Sequence, residues 1–159
     1  MLPRHFCRAA LAAGCNSEDM HMSLSPDDLI GVWTLEATFT EDGDGNQTPA
    51  LGDNPKGRIV YTADGYMVAM TGHGDRQLSA TGASDADKAA AFDNYMTYSG
   101  RWTLSGNVVT HEIDHATNPN WVGSVRDRTI DHQGDRMVFS GLSGDGVTRA
   151  IIIWQRAEA

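Results

Sequence analysis

From residue 31 to residue 40 apolar and polar side chains alternate without a break: Trp33, Leu35, Ala37 and Phe39 take one face, and Thr34, Glu36, Thr38 and Thr40 take the other. A period of two belongs to a half-buried strand, and it turns Trp33 and Phe39 toward a core. Just upstream, Ser25-Pro26-Asp27-Asp28 joins an N-cap serine to a proline at the first helical position and acids in the first turn. That combination predicts one short helical turn over 26–30. Downstream, Asp42-Gly43-Asp44-Gly45-Asn46 is a turn, and the irregular stretch through Pro55 is long enough to form a flap. Segments 58–62 and 66–71, joined at Ala63-Asp64-Gly65, predict a hairpin.

Ser84 caps a helix predicted over 85–95, with Asp87 at its third position and Ala89-Ala90-Ala91 supplying propensity. No other segment predicts a substantial helix. Strands then follow at 101–104, 108–116, 125–131, 136–140 and 147–156, separated by turns such as Ser105-Gly106-Asn107. With the three earlier strands the total is eight, arranged as an antiparallel meander. Eight such strands close into an up-and-down barrel that leaves no edge and has room for one small ligand. The expected class is therefore mainly β: an eight-stranded antiparallel barrel, or nine with one short addition, carrying one inserted α-helix.

Composition narrows the partners. The chain has 159 residues with 21 acids against 12 lysines and arginines, a formal charge of −9, so a phosphate backbone is repelled and no nucleic-acid partner is expected. No apolar run approaches the roughly 20 residues of a membrane helix. Both cysteines, Cys7 and Cys15, precede the patterned region, which leaves it without a disulfide or thiolate metal site and fits a cytoplasmic location. Arg4, Arg8 and the apolar run 9–14 before Cys15 look like a lipoprotein signal, and export as a lipoprotein through Cys15 is the alternative location. That run is shorter than the ~7–15 residues of an apolar signal core. Residues 1–22 are accordingly expected to be a disordered leader, or to precede a true start at Met20 or Met22, and 23–159 one barrel domain.

Gly31-Val32-Trp33 opens the first strand after a helical turn. Further along come Pro49-Ala50-Leu51-Gly52, the run from Gly57 to Met67, Lys88-Ala89-Ala90-Ala91-Phe92, Tyr95, Tyr98-Ser99-Gly100-Arg101-Trp102, His111, Pro119-Asn120-Trp121-Val122-Gly123 and Arg128. In that order and spacing they resemble the bacterial lipocalin-like domain family, from Leu29 to Trp154. The resemblance implies a small calycin-type barrel with a helix inserted before the central strands. It leaves the chemistry to be argued from the site, because fold does not fix function.

His111-Glu112-Ile113-Asp114-His115 has the spacing of a zinc-protease helix. The β-branched Val108-Val109-Thr110 and the Gly106-Asn107 turn make it a strand instead, which holds the two imidazoles about 13 Å apart. Asp42, Asp44 and Asn46 are spaced like calcium ligands, but Gln47 stands where a calcium loop turns on glycine. No metal and no cofactor are expected, and phosphate-loop, dinucleotide and serine-elbow motifs are missing from the sequence.

On 108–116 one face holds Val109, His111, Ile113 and His115, so His111 points to the apolar side; Arg128 shares a face with Ile130, and Tyr98 and Trp102 flank Gly100 on one face. The leading expectation is a binding module for a small apolar or aromatic molecule, with the cavity lined by Trp33, Phe39, Tyr61, Met67 or Met70, Trp102 and Trp121. His111, Arg128 and Tyr98 would hold the ligand's polar group. The alternative is a cofactor-independent isomerase, cyclase or lyase, with His111 as general acid/base and Tyr98 or Arg128 stabilising an enolate-like oxygen. A third reading has the three residues closing a filled barrel. Either a monomer or a homodimer is compatible with the sequence.

Overall fold

The computed structural model describes residues 23–78, 81–143 and 146–158. The expected leader and both cysteines lie outside the described residues. Asp28 accepts from the backbone N–H and the hydroxyl of Ser25 (2.8 and 2.7 Å), which fixes the start of α1 (Pro26–Leu29). The chain continues through β1 (Gly31–Glu41), β2 (Gln47–Pro49), β3 (Pro55–Tyr61), β4 (Tyr66–His73), α2 (Asp85–Asp93), β5 (Tyr95–Ser105) and β6 (Val108–Ala116). A 3-10 turn (Pro119–Trp121), β7 (Val125–Gln133), β8 (Arg136–Leu142) and β9 (Arg149–Arg156) complete it. Sequence neighbours pair antiparallel from β3 to β9, and β1 pairs with β3 on one side and β9 on the other, which closes an eight-stranded barrel. β2 is the ninth strand, paired only to the far end of β1, inside the stretch that the sequence suggested as a flap.

The end nearest α1 is solid. Trp33 is fully buried and its indole N–H donates to the Leu29 carbonyl at 2.8 Å, while the Arg156 guanidinium lies 4.1 Å over its ring. The same guanidinium donates to the Asp28 and Ile30 carbonyls (2.7 and 3.2 Å), so the last strand clamps the end of α1, where helix carbonyls lack partners. Behind this plug pack Ile59, Tyr61, Met67, Trp102, Met137, Phe139 and Trp154. Each such side chain contributes roughly 1.5–3 kcal/mol of burial. α2 buries none of its residues and lies outside the barrel, tied down by Arg76, which donates to the Ala91 carbonyl and stacks on Tyr95.

Two β-bulges change which side chains point inward. The β1–β9 register shifts between Leu35 and Ala37; Trp33 and Leu35 face the core, but beyond the bulge Thr38 is buried and Phe39 sits opposite Ile151 on the outer face. The unbroken alternation had placed Phe39 inside, and one extra residue at Glu36 reverses that. Met70 is likewise on the outer face, opposite Arg58 and Thr97, while Met67, Ala69 and Thr71 point in. In the second bulge Gly100 pairs with Ile113 and Ser99 with His115, leaving Asp114 over. His111 and Ile113 stay inside, whereas the His115 side chain is 84% exposed, so the two histidines lie on opposite sides of the sheet.

The second bulge depends on Gly100. A Cβ there would stand 1.8 Å from the Glu112 carbonyl oxygen, a distance no side chain can occupy. β5, expected at 101–104, begins at Tyr95 and runs through this glycine, because Tyr95-Met96-Thr97-Tyr98 upstream of it are themselves good strand formers. Gly100→Ala is expected to destabilise the protein by about 1–3 kcal/mol or more in urea unfolding, whereas Gly43→Ala, in an open turn, should stay within about 0.5 kcal/mol.

Candidate functional site

Above the solid end three inward side chains form a chain of hydrogen bonds across the interior. Tyr61 on β3 meets His111 Nε2 on β6 at 2.7 Å, and His111 Nδ1 meets Tyr98 on β5 at 3.2 Å. Tyr61 also packs edge-on against Trp102, with ring centroids 5.1 Å apart. Burial, with the nearby Arg128 and Arg126 charges adding to it, pushes the His111 pKa down to about 3, so the ring is neutral. Burial also raises the pKa of both tyrosines, so both keep their protons.

A neutral imidazole has one N–H and one bare nitrogen, so one tyrosine donates to the ring and the other accepts from it. Tyr61 is 1% exposed and has His111 as its partner, whereas Tyr98 borders a cavity. Full satisfaction of the buried group therefore requires Tyr61 to donate to Nε2 and Nδ1–H to donate to Tyr98. The Tyr98 hydroxyl proton is then free to turn into the cavity.

β7 supplies two cations. Arg126 and Arg128 both face inward, as Ile130 does, with Arg126 opposite His111 and Arg128 opposite Val109. Arg126 stacks 3.9 Å over the ring of Trp121, which the 3-10 turn presents edge-on to Tyr98. Arg128 donates to the Asp127 carbonyl at 2.7 Å. The β7–β8 ladder runs from Gln133–Arg136 only as far as Thr129–Ser140, and above it the strands separate. The Arg128 guanidinium lies where the ladder ends, beside Gly141: a Cβ at 141 would be 2.7 Å from both its Nη1 and the Asp127 carbonyl oxygen that it holds. Nε of Arg126 and Nε of Arg128 are buried without a hydrogen-bond acceptor.

These residues border an interior cavity of about 370 Å³ whose apolar walls include Leu51, Met96, Trp121 and Ile152. A broader hollow of about 600 Å³ lies outside the separated strands and shares Arg126, Arg128 and Ser143 with it. Of the residues singled out from the sequence, Tyr98, Trp121 and Arg128 line the interior cavity, with His111 and Tyr61 behind Tyr98. Trp33, Met67 and Trp102 belong to the packed core, and Phe39 and Met70 face outward. Arg126 was missed although parity with Arg128 marks it. Thr38, Thr71, Leu51, Met96 and Ile152 complete the wall without a distinguishing signal in the sequence. The Asp42 carboxylate, a calcium candidate by spacing, accepts from Asp44 and Asn46 within its own turn.

The lipocalin-like domain family matches residues 30–157 of the chain. A 4'-hydroxy-3'-methoxypropiophenone carrier protein of Aspergillus oryzae is 29% identical over 99 residues, covering 52% of this chain and 83% of its own length. A lipocalin-like protein from Bacteroides uniformis superposes with a TM-score of 0.45 at 15% identity, covering 82% of this chain and 99% of its own. A designed fluorescence-activating β-barrel superposes at 0.42 with 12% identity, covering 83% and 96%. The family match, not these superpositions, carries the assignment.

The His111 environment has a pH signature. On unfolding its pKa returns from about 3 toward 6.5, so between those values the unfolded chain binds the extra proton and stability falls as pH drops; above 6.5 the contribution is complete. Within that window His111 should add about 1.4 kcal/mol per pH unit to the slope of stability against pH, and His111→Gln should remove it. Nitrogen-15 spectra of the folded protein should show a neutral ring protonated at Nδ1 throughout pH 5–8. A ring protonated at Nε2 would reverse the assigned direction of the hydrogen-bond chain.

Proposed function

The chain belongs to the lipocalin-like domain family, and from that premise we propose that it binds a small, mostly apolar molecule in the upper half of its barrel. The observation that carries this reading is the division of the interior. One half is filled from Trp33 to Phe139, and the other keeps a cavity of about 370 Å³ with Leu51, Met96 and Ile152 on its walls and Tyr98, Arg126 and Arg128 gathered at one side. Apolar walls with a few converging polar groups are the usual composition of a ligand site, and the volume is at the small end of the roughly 300–1,000 Å³ range. That suits one or two rings better than a long acyl chain.

In this reading Trp121 and Ile152 cover the ligand's apolar body and Tyr98 donates to its polar group. Arg128 and Arg126 hold the same end, and His111 acts behind Tyr98 by accepting from Tyr61 and fixing which way the tyrosine proton points. The acid/base alternative finds less support, because both ring nitrogens of His111 are engaged and the ring is 1% exposed. The Aspergillus oryzae relative, named as a carrier of an aryl ketone, is consistent with transport or sequestration and makes that ketone a sensible probe.

Titrating the protein with 4'-hydroxy-3'-methoxypropiophenone and with the neutral dye N-phenyl-1-naphthylamine should give saturable binding and a change in tryptophan emission. Ile152→Trp, which fills the cavity from its wall, should weaken binding of both by about tenfold or more. Undiminished affinity in that variant, with the fold intact by circular dichroism, would place the ligand elsewhere.

A further inference from the structure

Resting on the interior-binding reading above, we infer that the cavity selects organic carboxylates, whose two oxygens are received by Arg126, Arg128 and the Tyr98 hydroxyl. The argument begins with a charge imbalance. Acids outnumber bases in this chain, and three other arginines of the barrel have a carboxylate near: Arg136 with Glu36, Arg149 with Glu41 and Arg156 with Asp135. Arg126 and Arg128 have none within ion-pair distance among the described residues; Arg58, Arg76 and Arg101 also have none, but those three are exposed to solvent whereas Arg126 and Arg128 are partly or wholly buried. Arg128 is only 8% exposed, which limits its hydration, and the acceptor it has among the described residues is the carbonyl of the preceding residue. A guanidinium taken out of water without a counter-charge is costly, and two on one strand face repel each other as well.

Donor geometry agrees with the charge. The Nε atoms of both arginines are buried without an acceptor, and the free proton of Tyr98 borders the same cavity. Among the described residues, the lining side chains that could accept there are hydroxyls, chiefly those of Thr38, Thr71 and Ser143, and none is a carboxylate. A site built of donors requires a ligand end built of acceptors, and a planar carboxylate matches guanidinium forks best. Burial and Arg128 together lower the Arg126 pKa, a strain that an anion between the two would relieve. The overall charge of −9 disfavours anion binding over most of the surface.

The test compares two probes of the same shape, 2-naphthoate and 2-naphthamide, by calorimetric titration at pH 7.5 and 150 mM salt. The intact protein should bind 2-naphthoate more tightly by roughly ten- to hundredfold, the range expected of a charge-assisted hydrogen bond. Arg126→Met and Arg128→Met should each remove most of that preference by lowering 2-naphthoate affinity far more than 2-naphthamide affinity, and an unchanged circular dichroism spectrum and melting temperature show that the variants fold. Equal affinity for the two probes in the intact protein overturns carboxylate selection and leaves interior binding standing. A preference that survives both substitutions overturns the assignment to these arginines. Failure of both probes, the aryl ketone and the neutral dye to bind overturns the interior-binding reading and this inference together.

Discussion

The hydrogen-bonded chain from Tyr61 through His111 to Tyr98 divides the barrel interior, and the rest of the structure is arranged about that division. On its lower side every position is taken by large apolar side chains; on its upper side the barrel widens into a cavity with two cations. A polar group buried at such a boundary is stable only when each of its hydrogen-bonding atoms has a partner. Tyr61 and His111 meet that requirement by using the neutral histidine as a two-way connector, and Tyr98 closes the chain while keeping its own proton toward the cavity. A structural need of the core thereby sets the direction of a hydroxyl that borders the cavity.

The separated end of β7 and β8 shows a second coupling between architecture and chemistry. A ladder that stops early leaves backbone carbonyls without their strand partners, a cost that proteins reduce with side-chain donors. Arg128 does this for Asp127, and Gly141 is small enough to let it. The residue that closes the gap in the wall also brings a positive charge to the cavity. In the proposed binding reading stability and recognition compete for the same guanidinium, in contrast to Arg156, which holds α1 and Trp33 and pairs with Asp135 at the solid end.

The strand count, the antiparallel order and the position of the main helix were legible in the sequence because turn residues separate the strands and alternation marks most of them. The inward placement of His111 and Arg128 was legible for the same reason, as each shares its face with aliphatic neighbours. The bulges were not. At Glu36 the extra residue leaves the printed alternation unbroken, since Ala37 and Phe39 remain apolar even though they pack outside against the β9 and β2 registers. Gly100 falls outside the strand expected at 101–104, yet it lies in the middle of β5. The cavity wall is beyond one-dimensional reading altogether: Leu51, Met96 and Ile152 come from distant parts of the chain and share nothing but the curvature of the barrel.

The pairing of β1 with β9 gives the barrel a particular history during synthesis. Residues as distant as Trp33 and Arg156 are neighbours in that ladder, so its closure bears the largest loop-entropy cost and is favoured only once the intervening strands are in place. Until the last strand leaves the ribosome, β1 and β8 both present open edges, the kind of surface that recruits strands from other chains. A chain halted short of Arg149 would be a sheet with two adhesive edges and no Arg156 to clamp α1 and Trp33, a species for chaperones rather than a weakened barrel.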